Sequence, residues 1–287
     1  MQAARKLEDE ININTQMKLM TQAYQEHAIA QINLARYSVV ASRAFMDELA
    51  EIFSNVKTSY EIYLKAIGKK GQKALQEKLE KNGREVLILL SSNGKFYGDL
   101  VTKVARLFLD AAKTKDADIV IVGSEGKKLY ETARINKPVT YFHIPDTTIT
   151  LEMLKPLIVK IIPYKKATIF YGRFTNIINQ EPTSGSLTGD MPQKNIKAGD
   201  TNFIFEPSVD NIMEFFESQI FSMLLSQTIS EGKLARFASR IKAMEFAQNN
   251  LEKQLEILVS RRRRLKGIEI NKKQIQLFAG QALWGNK

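Results

Sequence analysis

Residues 237–264 read FASRIKAMEFAQNNLEKQLEILVSRRRR, and this stretch decides the fold. Phe237, Ile241, Met244, Leu251, Leu255 and Leu258 recur at steps of three, four and seven, which puts them on one stripe of a helix. The stripe extends back through Leu234, Ile229, Met223, Ile220, Phe216 and Ile212. No proline interrupts the chain from Ser208, read as the N-cap, to Trp284. The other end of the chain behaves alike. From Gln2 to Ala66 there is no proline, and Leu7, Ile11, Met17, Met20, Ala23, Ala30, Leu34, Tyr37, Val40, Ala44, Leu49, Phe53 and Val56 mark an apolar stripe. Gly68 and Gly71 end that helix. Helices of such lengths run roughly 100 Å or more, since each residue rises about 1.5 Å. A single core of this size cannot enclose them. The two helices are therefore expected to pair as a coiled coil projecting from a smaller body, a shaft or lever in form. Gly232 and Gly267 inside the second helix are expected to mark bends or close approaches of another chain, each costing roughly 1 kcal/mol relative to Ala.

The middle of the chain changes character. Val86 to Leu90 and Ile119 to Val122 are short continuous apolar runs, as buried strands should be. Val139 to Ile144, Ala167 to Tyr171 and Phe203 to Phe205 read as further strands. Helices are expected from Phe96 to about Lys113, from Glu125 to Ala133 and from Leu151 to Ile162. This alternation argues a small open α/β sheet with helices on its faces. Pro182 to Asp200, rich in Gly, Pro, Ser, Thr and Asn, reads as an exposed loop.

The chain has 287 residues, 44% hydrophobic and 25% charged, which suits one or two soluble domains. No run of about 20 apolar residues suggests a membrane span. Arg5, Lys6, Glu8, Asp9 and Glu10 fit neither a signal peptide nor an acid-poor transit peptide. There is no cysteine, so disulfides, thiolate catalysis and Cys-based metal sites are excluded. The net charge of +11 favours a polyanionic partner: nucleic acid, an anionic membrane surface or an acidic protein.

Ser91 to Gly98 lies where an α/β fold would cradle a phosphate, between a strand and a helix. It matches neither G-x-G-x-x-G nor the P-loop spacing, and a plain strand-to-helix turn is the better reading. Gly123 to Gly126 shares that weakness. His27 and His143 are the only histidines and converge on nothing catalytic. Arg261, Arg262, Arg263 and Arg264 sweep around a helix and cannot form one seam. They read either as a solvated collar or as a ring of positive charge facing carboxylates on encircling partners, or phosphates. No aromatic interleaving accompanies them, so nucleic acid is disfavoured. Ile275 to Trp284 is apolar, and a bare apolar tip would invite aggregation. Another protein is expected to enclose it.

Tyr171-Gly172-Arg173-Phe174-Thr175-Asn176-Ile177-Ile178-Asn179-Gln180-Glu181-Pro182 and Phe203 to Pro207 resemble strand and helix-opening segments of the gamma subunit of F-type ATP synthases, the central rotor shaft. Ala238-Ser239-Arg240-Ile241-Lys242-Ala243-Met244 is similar to that family's most recognisable string. Gly280-Gln281-Ala282-Leu283 resembles its small-residue terminus. Ser92, Gly94 and Gly98 fit its first strand-to-helix turn, and Ile11, Met20, Thr21 and Ala23 its shaft motif. The resemblance spans the chain in order. Three features depart from it. The N-terminal start is acidic at Glu8, Asp9 and Glu10. Ala235-Arg236 stands where the family has Ser-Glu, and Lys266-Gly267 where it has Arg-Gln.

The resemblance implies an α/β fold: a long antiparallel coiled coil of the N- and C-terminal helices plus a small Rossmann-like domain. Residues 1–68 and 207–287 would form the shaft and 69–206 the α/β domain. It implies a non-catalytic chain without a cofactor, with ATP or ADP and Mg held by partners. Those partners would be alpha- and beta-type subunits around the shaft, and an epsilon-type subunit with a membrane ring at the α/β end, near Lys69 and Lys70. The location would be cytoplasmic, peripheral on the inner face of a membrane, with no direct span and no nucleic acid. Expected contacts are Met20, Thr21, Arg240, Met244, Arg261 to Arg264, Lys266, Leu277, Phe278, Gly280, Ala282 and Leu283. The alternatives are an α/β ligand-binding module, a coiled-coil adaptor, or the shaft of a related motor not used for ATP synthesis.

Overall fold

The computed structural model describes residues 2–66, 81–146, 149–187 and 209–284; over 2–3, 37–66, 209–214, 216–217 and 281–284, and at Leu151, it describes the backbone only. Helix α1 spans Gln2–Ala66 and the last helix Val209–Trp284. Between them come β1 (Glu85–Leu90), α2 (Leu100–Thr114), β2 (Asp118–Val122), α3 (Ser124–Thr132), β3 (Val139–Phe142), α4 (Leu151–Ile161), β4 (Lys166–Phe174) and β5 (Gln180–Ser186). The last helix is α5. By their contacts, residues 1–28 with 241–287 form one compact unit and 29–240 another.

The larger unit is built on a five-stranded sheet ordered β3-β2-β1-β4-β5. Pairings β1–β2, β1–β4 and β2–β3 are parallel, and β4–β5 is antiparallel. Strand β1 shows why its sequence is apolar throughout. Val86, Ile88 and Leu90 point into a core shared with Leu154, Leu157 and Ile161 of α4 and with Phe221, Leu225 and Ile229 of α5. Leu87 and Leu89 point the other way, to Leu100, Val104 and Phe108 of α2 and Tyr130 of α3. A strand buried on both faces has no polar side to alternate with.

Three expectations change. Phe96 does not begin a helix: Phe96 and Gly98 have φ of 67° and 60°, a left-handed backbone that no α-helix contains, and α2 starts at Leu100. Pro182 to Ser186 is not loop but part of β5. Among the described residues β5 is an edge strand that pairs through its backbone with β4 alone, which tolerates Pro182 and its missing N–H. Strand β3 stops at Phe142, two residues short of Ile144. The strand expected at Phe203 to Phe205, the cap at Ser208 and the glycines at 68 and 71 lie outside the described residues.

Gly123 ends β2 at φ 98°, and a Cβ there would lie 2.8 Å from the Ser92 carbonyl oxygen. Around Gly267 a Cβ would meet nothing of this chain's described residues within 4 Å. Gly123→Ala is therefore expected to lower unfolding stability by about 2–4 kcal/mol. Gly267→Ala should raise it by about 0.5–1 kcal/mol. Urea unfolding of the full chain measures both.

Candidate functional site

The strand order fixes where a ligand would go. The chain steps from β1 out to β2 and β3, then returns to β4 on the other side of β1. Open α/β sheets bind ligands at such a reversal, beyond the carboxyl ends of the strands. Here that crevice is already filled. Helix α5 packs Ile229 with the cluster on the α4 face and Ala235 with the cluster on the α2 face, so between them it crosses the ends of β1 and β4. Gly232 sits at the crossing, where a Cβ would come within 2.9 Å of Leu90 Cδ2. A Cβ on Gly172 of β4 would likewise meet Leu100 at 2.8 Å and Ala235 at 3.3 Å. Gly232 thus marks a close approach of this chain's own strand β1 rather than of another chain.

The turn after β1 carries the donors that would hold a phosphate, and a carboxylate occupies them. Asn93 N donates to Asp146 Oδ2 at 3.0 Å and Gly94 N at 2.7 Å. The Tyr97 hydroxyl donates to the same oxygen at 3.3 Å, and Arg236 Nη2 lies 3.9 Å from Oδ1. Asn93 ties the turn to its neighbours. Its Nδ2 donates to Ile144 O at 2.6 Å, and its Oδ1 accepts from Ser124 N at 3.0 Å.

Helix α5 is pinned to this turn. Ser239 Oγ donates to Tyr97 O at 2.8 Å and Arg240 Nη2 to Lys95 O at 2.7 Å. The Arg240 guanidinium lies 3.8 Å from the Tyr97 ring centre, where the ring's negative face attracts a cation. Tyr97 and Phe237 meet edge to face at 5.8 Å. Burial, then the Asp146 charge, push the Tyr97 phenol up to about 12. Burial also pushes Arg236 below its usual range, against the pull of Asp146.

The smaller unit is a helix pair. Arg262 Nη1 lies 3.0 Å from Glu8 Oε1 and Lys18 Nζ 2.7 Å from Glu252 Oε1. As numbers rise by ten on α1 they fall by ten on α5, so the helices run antiparallel. Gln248 Nε2 donates to Gln25 Oε1 at 2.6 Å. Leu7, Ile11 and Leu258 form the buried seam, with Leu255 and Val259 against it. Such exposed ion pairs contribute about 0–1 kcal/mol, so the apolar seam carries the pairing.

The expected contact residues fall into separate places. Met20 is 58% exposed, and Leu277 and Phe278 are each 70% exposed. Thr21 donates its hydroxyl back to Lys18 O at 2.7 Å. Arg261, Arg263, Arg264 and Lys266 are exposed, whereas Arg262 is partly covered and turns to Glu8. Arg261 and Arg264 line a groove of about 420 Å³ with Lys6, Leu7, Glu10, Leu265 and Ile268. Gly280 is partly exposed, and the side chains of Ala282 and Leu283 lie outside the described residues. Arg240 and Met244 are only 6% exposed. Arg240 is bound within the chain, to Lys95 O and over the Tyr97 ring. His27 and His143 are exposed and far apart in sequence. Among the described residues no group of three or more His, Asp or Glu could hold a metal ion. No helix among them is long and apolar enough to cross a membrane.

Asp146, Tyr97 and Arg236 escaped the sequence reading as a site. Tyr97 lay within the Ser91 to Gly98 turn and Arg236 stood as a departure from the family string, while Asp146 left no trace.

The α/β body thus has its own helix lying across the carboxyl ends of β1 and β4, and the helix pair bears exposed apolar and basic residues. A family model described as ATP synthase matches residues 3–280, and the chain belongs to that family. It is 22% identical to the ATP synthase gamma chain of Hyphomonas neptunium over 98% of this chain and 99% of that one. It is also 22% identical to the ATP synthase gamma chain of Desulfitobacterium hafniense, over 98% of both. Two solved structures share the fold. The central stalk of Tetrahymena thermophila mitochondrial ATP synthase matches with a TM-score of 0.58 at 15% identity, covering 79% of this chain and 99% of that one. A chain of the Euglena gracilis mitochondrial ATP synthase matches with a TM-score of 0.54 at 12% identity, covering 89% and 95%.

The Tyr97 shift has a consequence for stability. In the unfolded chain the phenol ionises near 10.0 and in the folded chain near 12. The unfolded state therefore loses the proton first, and stability present below pH 10 falls as pH rises toward 12. Tyr164, raised to about 12 chiefly by burial and then by its bond to Asp118, acts in the same window. Tyr97→Phe should flatten part of this decline, seen as a smaller drop in Tm between pH 9.5 and pH 11.5.

Proposed function

We propose that the chain is the central rotor shaft of a rotary F-type ATPase, coupling rotation to ATP synthesis or hydrolysis in a surrounding ring of alpha- and beta-type subunits. The observation that carries this is the antiparallel helix pair, with exposed apolar residues beyond its seam and exposed arginines beside them, in a chain of the ATP synthase family. A solitary protein gains nothing from leaving Ile268, Ile270, Ile275, Leu277 and Phe278 in water. A shaft enclosed by a ring covers them.

The work is done by shape. An asymmetric helix pair makes different contacts with each beta-type subunit around the ring. Each angle of the shaft then favours a different conformation, and so a different nucleotide affinity, at each site. The chain needs no catalytic residue for this, and ATP or ADP with Mg would sit on the partners. In this reading 1–68 and 207–287 are the shaft and 69–206 the domain that meets an epsilon-type subunit and a membrane ring. The complex would lie on the cytoplasmic, inner face of the membrane. Leu277, Phe278, Gly280, Ala282 and Leu283 would form the bearing tip, while Arg261, Arg263, Arg264 and Lys266 face acidic surfaces of the ring, and Met20 and Thr21 meet it from α1. Arg240 also bonds Lys95 O and stacks on Tyr97 within the chain. The Asp146 carboxylate in the turn after β1 argues against the nucleotide-module alternative, because the donors a phosphate would use are taken.

Co-expression with alpha- and beta-type subunits from the same source tests this reading. A complex with three of each and one shaft, with nucleotide-dependent ATPase activity, is expected. A monomer or dimer that ignores both partners overturns it. Replacing Arg261, Arg263 and Arg264 together with Ala should weaken coupling by about 10-fold at low salt, at roughly 0.5 kcal/mol for each screened contact, and by less at high salt. Unchanged coupling at every ionic strength would remove the electrostatic role.

A further inference from the structure

The turn after β1 is an anion site with an anion built in. We propose that the Asp146 carboxylate is a tethered stand-in for a bound anion, and that by filling this nest it is the positioning residue that fixes α5 on the sheet. Four donors converge on its two oxygens or lie beside them: the backbone amides of Asn93 and Gly94, the Tyr97 hydroxyl and the Arg236 guanidinium. Successive backbone amides and an arginine are the groups with which proteins hold carboxylate and phosphate. The carboxylate comes from a segment far along the chain, since Asp146 follows β3.

Arg236 supplies the second observation. It is 5% exposed, and its Nε has no hydrogen-bond partner. A buried arginine without a counter-charge is strongly disfavoured, and Asp146 is the anion beside it.

The positioning follows from the chain of contacts. Asp146 holds the turn at Asn93, Gly94 and Tyr97. That turn in turn presents Lys95 O to Arg240, Tyr97 O to Ser239 and the Tyr97 ring to Phe237. Phe237, Ser239 and Arg240 of α5 are thereby tied to the one loop that follows β1. If the helix is the shaft, this joint is where torque passes between it and the α/β body; that consequence rests on the rotor reading, whereas the anion site does not.

The test uses the full chain with Asp146→Ala, Asp146→Asn and the double variant Asp146→Ala with Arg236→Met, and sodium formate as the probe, with sodium chloride matching its ionic strength. Asp146→Ala should lower Tm by about 10 °C, the size expected for breaking a buried ion pair. Formate should recover at least half of that loss. It should recover nothing in Asp146→Asn, whose amide fills the space, nor in the double variant, which lacks the arginine. If Asp146→Ala does not accumulate folded, formate-dependent refolding from urea replaces Tm. Rescue by chloride to the same extent, equal rescue in the double variant, or no rescue at all overturns the proposal. In the assembled complex, Asp146→Ala should hydrolyse ATP with coupling reduced several-fold, and formate should restore it. Failure of the wild-type chain to assemble would sink the rotor reading while leaving the formate effect on the isolated chain intact.

Discussion

Everything in the larger unit depends on how the backbone amides at the carboxyl end of β1 are satisfied. Parallel strands leave such donors pointing into a crevice, and many α/β proteins use them to bind a phosphate. Here Asp146 takes them, and a helix closes the crevice. Once that is done, the crevice beyond the carboxyl ends of β1 and β4 is occupied by the chain's own groups. The close approaches at Gly232 and Gly172, where a Cβ would come within 2.9 Å and 2.8 Å of a leucine side chain, show how tightly α5 lies over the strand ends.

The same helix that is locked in the larger unit pairs with α1 in the smaller one, and the two regions are made differently. Around Tyr97 the contacts are buried, directional and mixed in chemistry, which specifies one orientation. Along the helix pair a narrow seam of Leu7, Ile11 and Leu258 carries the pairing, with weak ion pairs at its flank. The surfaces outside that seam are left for partners. Directional polar bonds thus concentrate around Tyr97, and the helix pair relies on its apolar seam.

Much of this was legible in the sequence. The two long helices show in their proline-free stripes, and β1 and β2 in runs too apolar to be exposed on either face. The family showed in strings at Tyr171 to Pro182 and Ala238 to Met244. What stayed hidden has physical reasons. Strand β5 is held by backbone pairing at an edge, so its side chains carry no apolar pattern and Pro182 reads as a breaker. The start of α2 depends on two left-handed residues, one of them Phe96, which composition does not announce. Asp146 gives no periodic signal, because its role arises from four groups brought together from the turn after β1 and from α5. Arg240, expected at a partner because it stands in the family string, also bonds Lys95 O and stacks on Tyr97 within the chain.

The most direct measurement is rotation itself. The chain has no cysteine, so Asp110→Cys, at an exposed position on α2, gives a unique attachment point for a bead. With the ring of alpha- and beta-type subunits fixed to a surface, the bead is followed while ATP is supplied. The account predicts sustained rotation in one direction that stops when ATP is removed. A chain that stays bound and still while the ring hydrolyses ATP would contradict it.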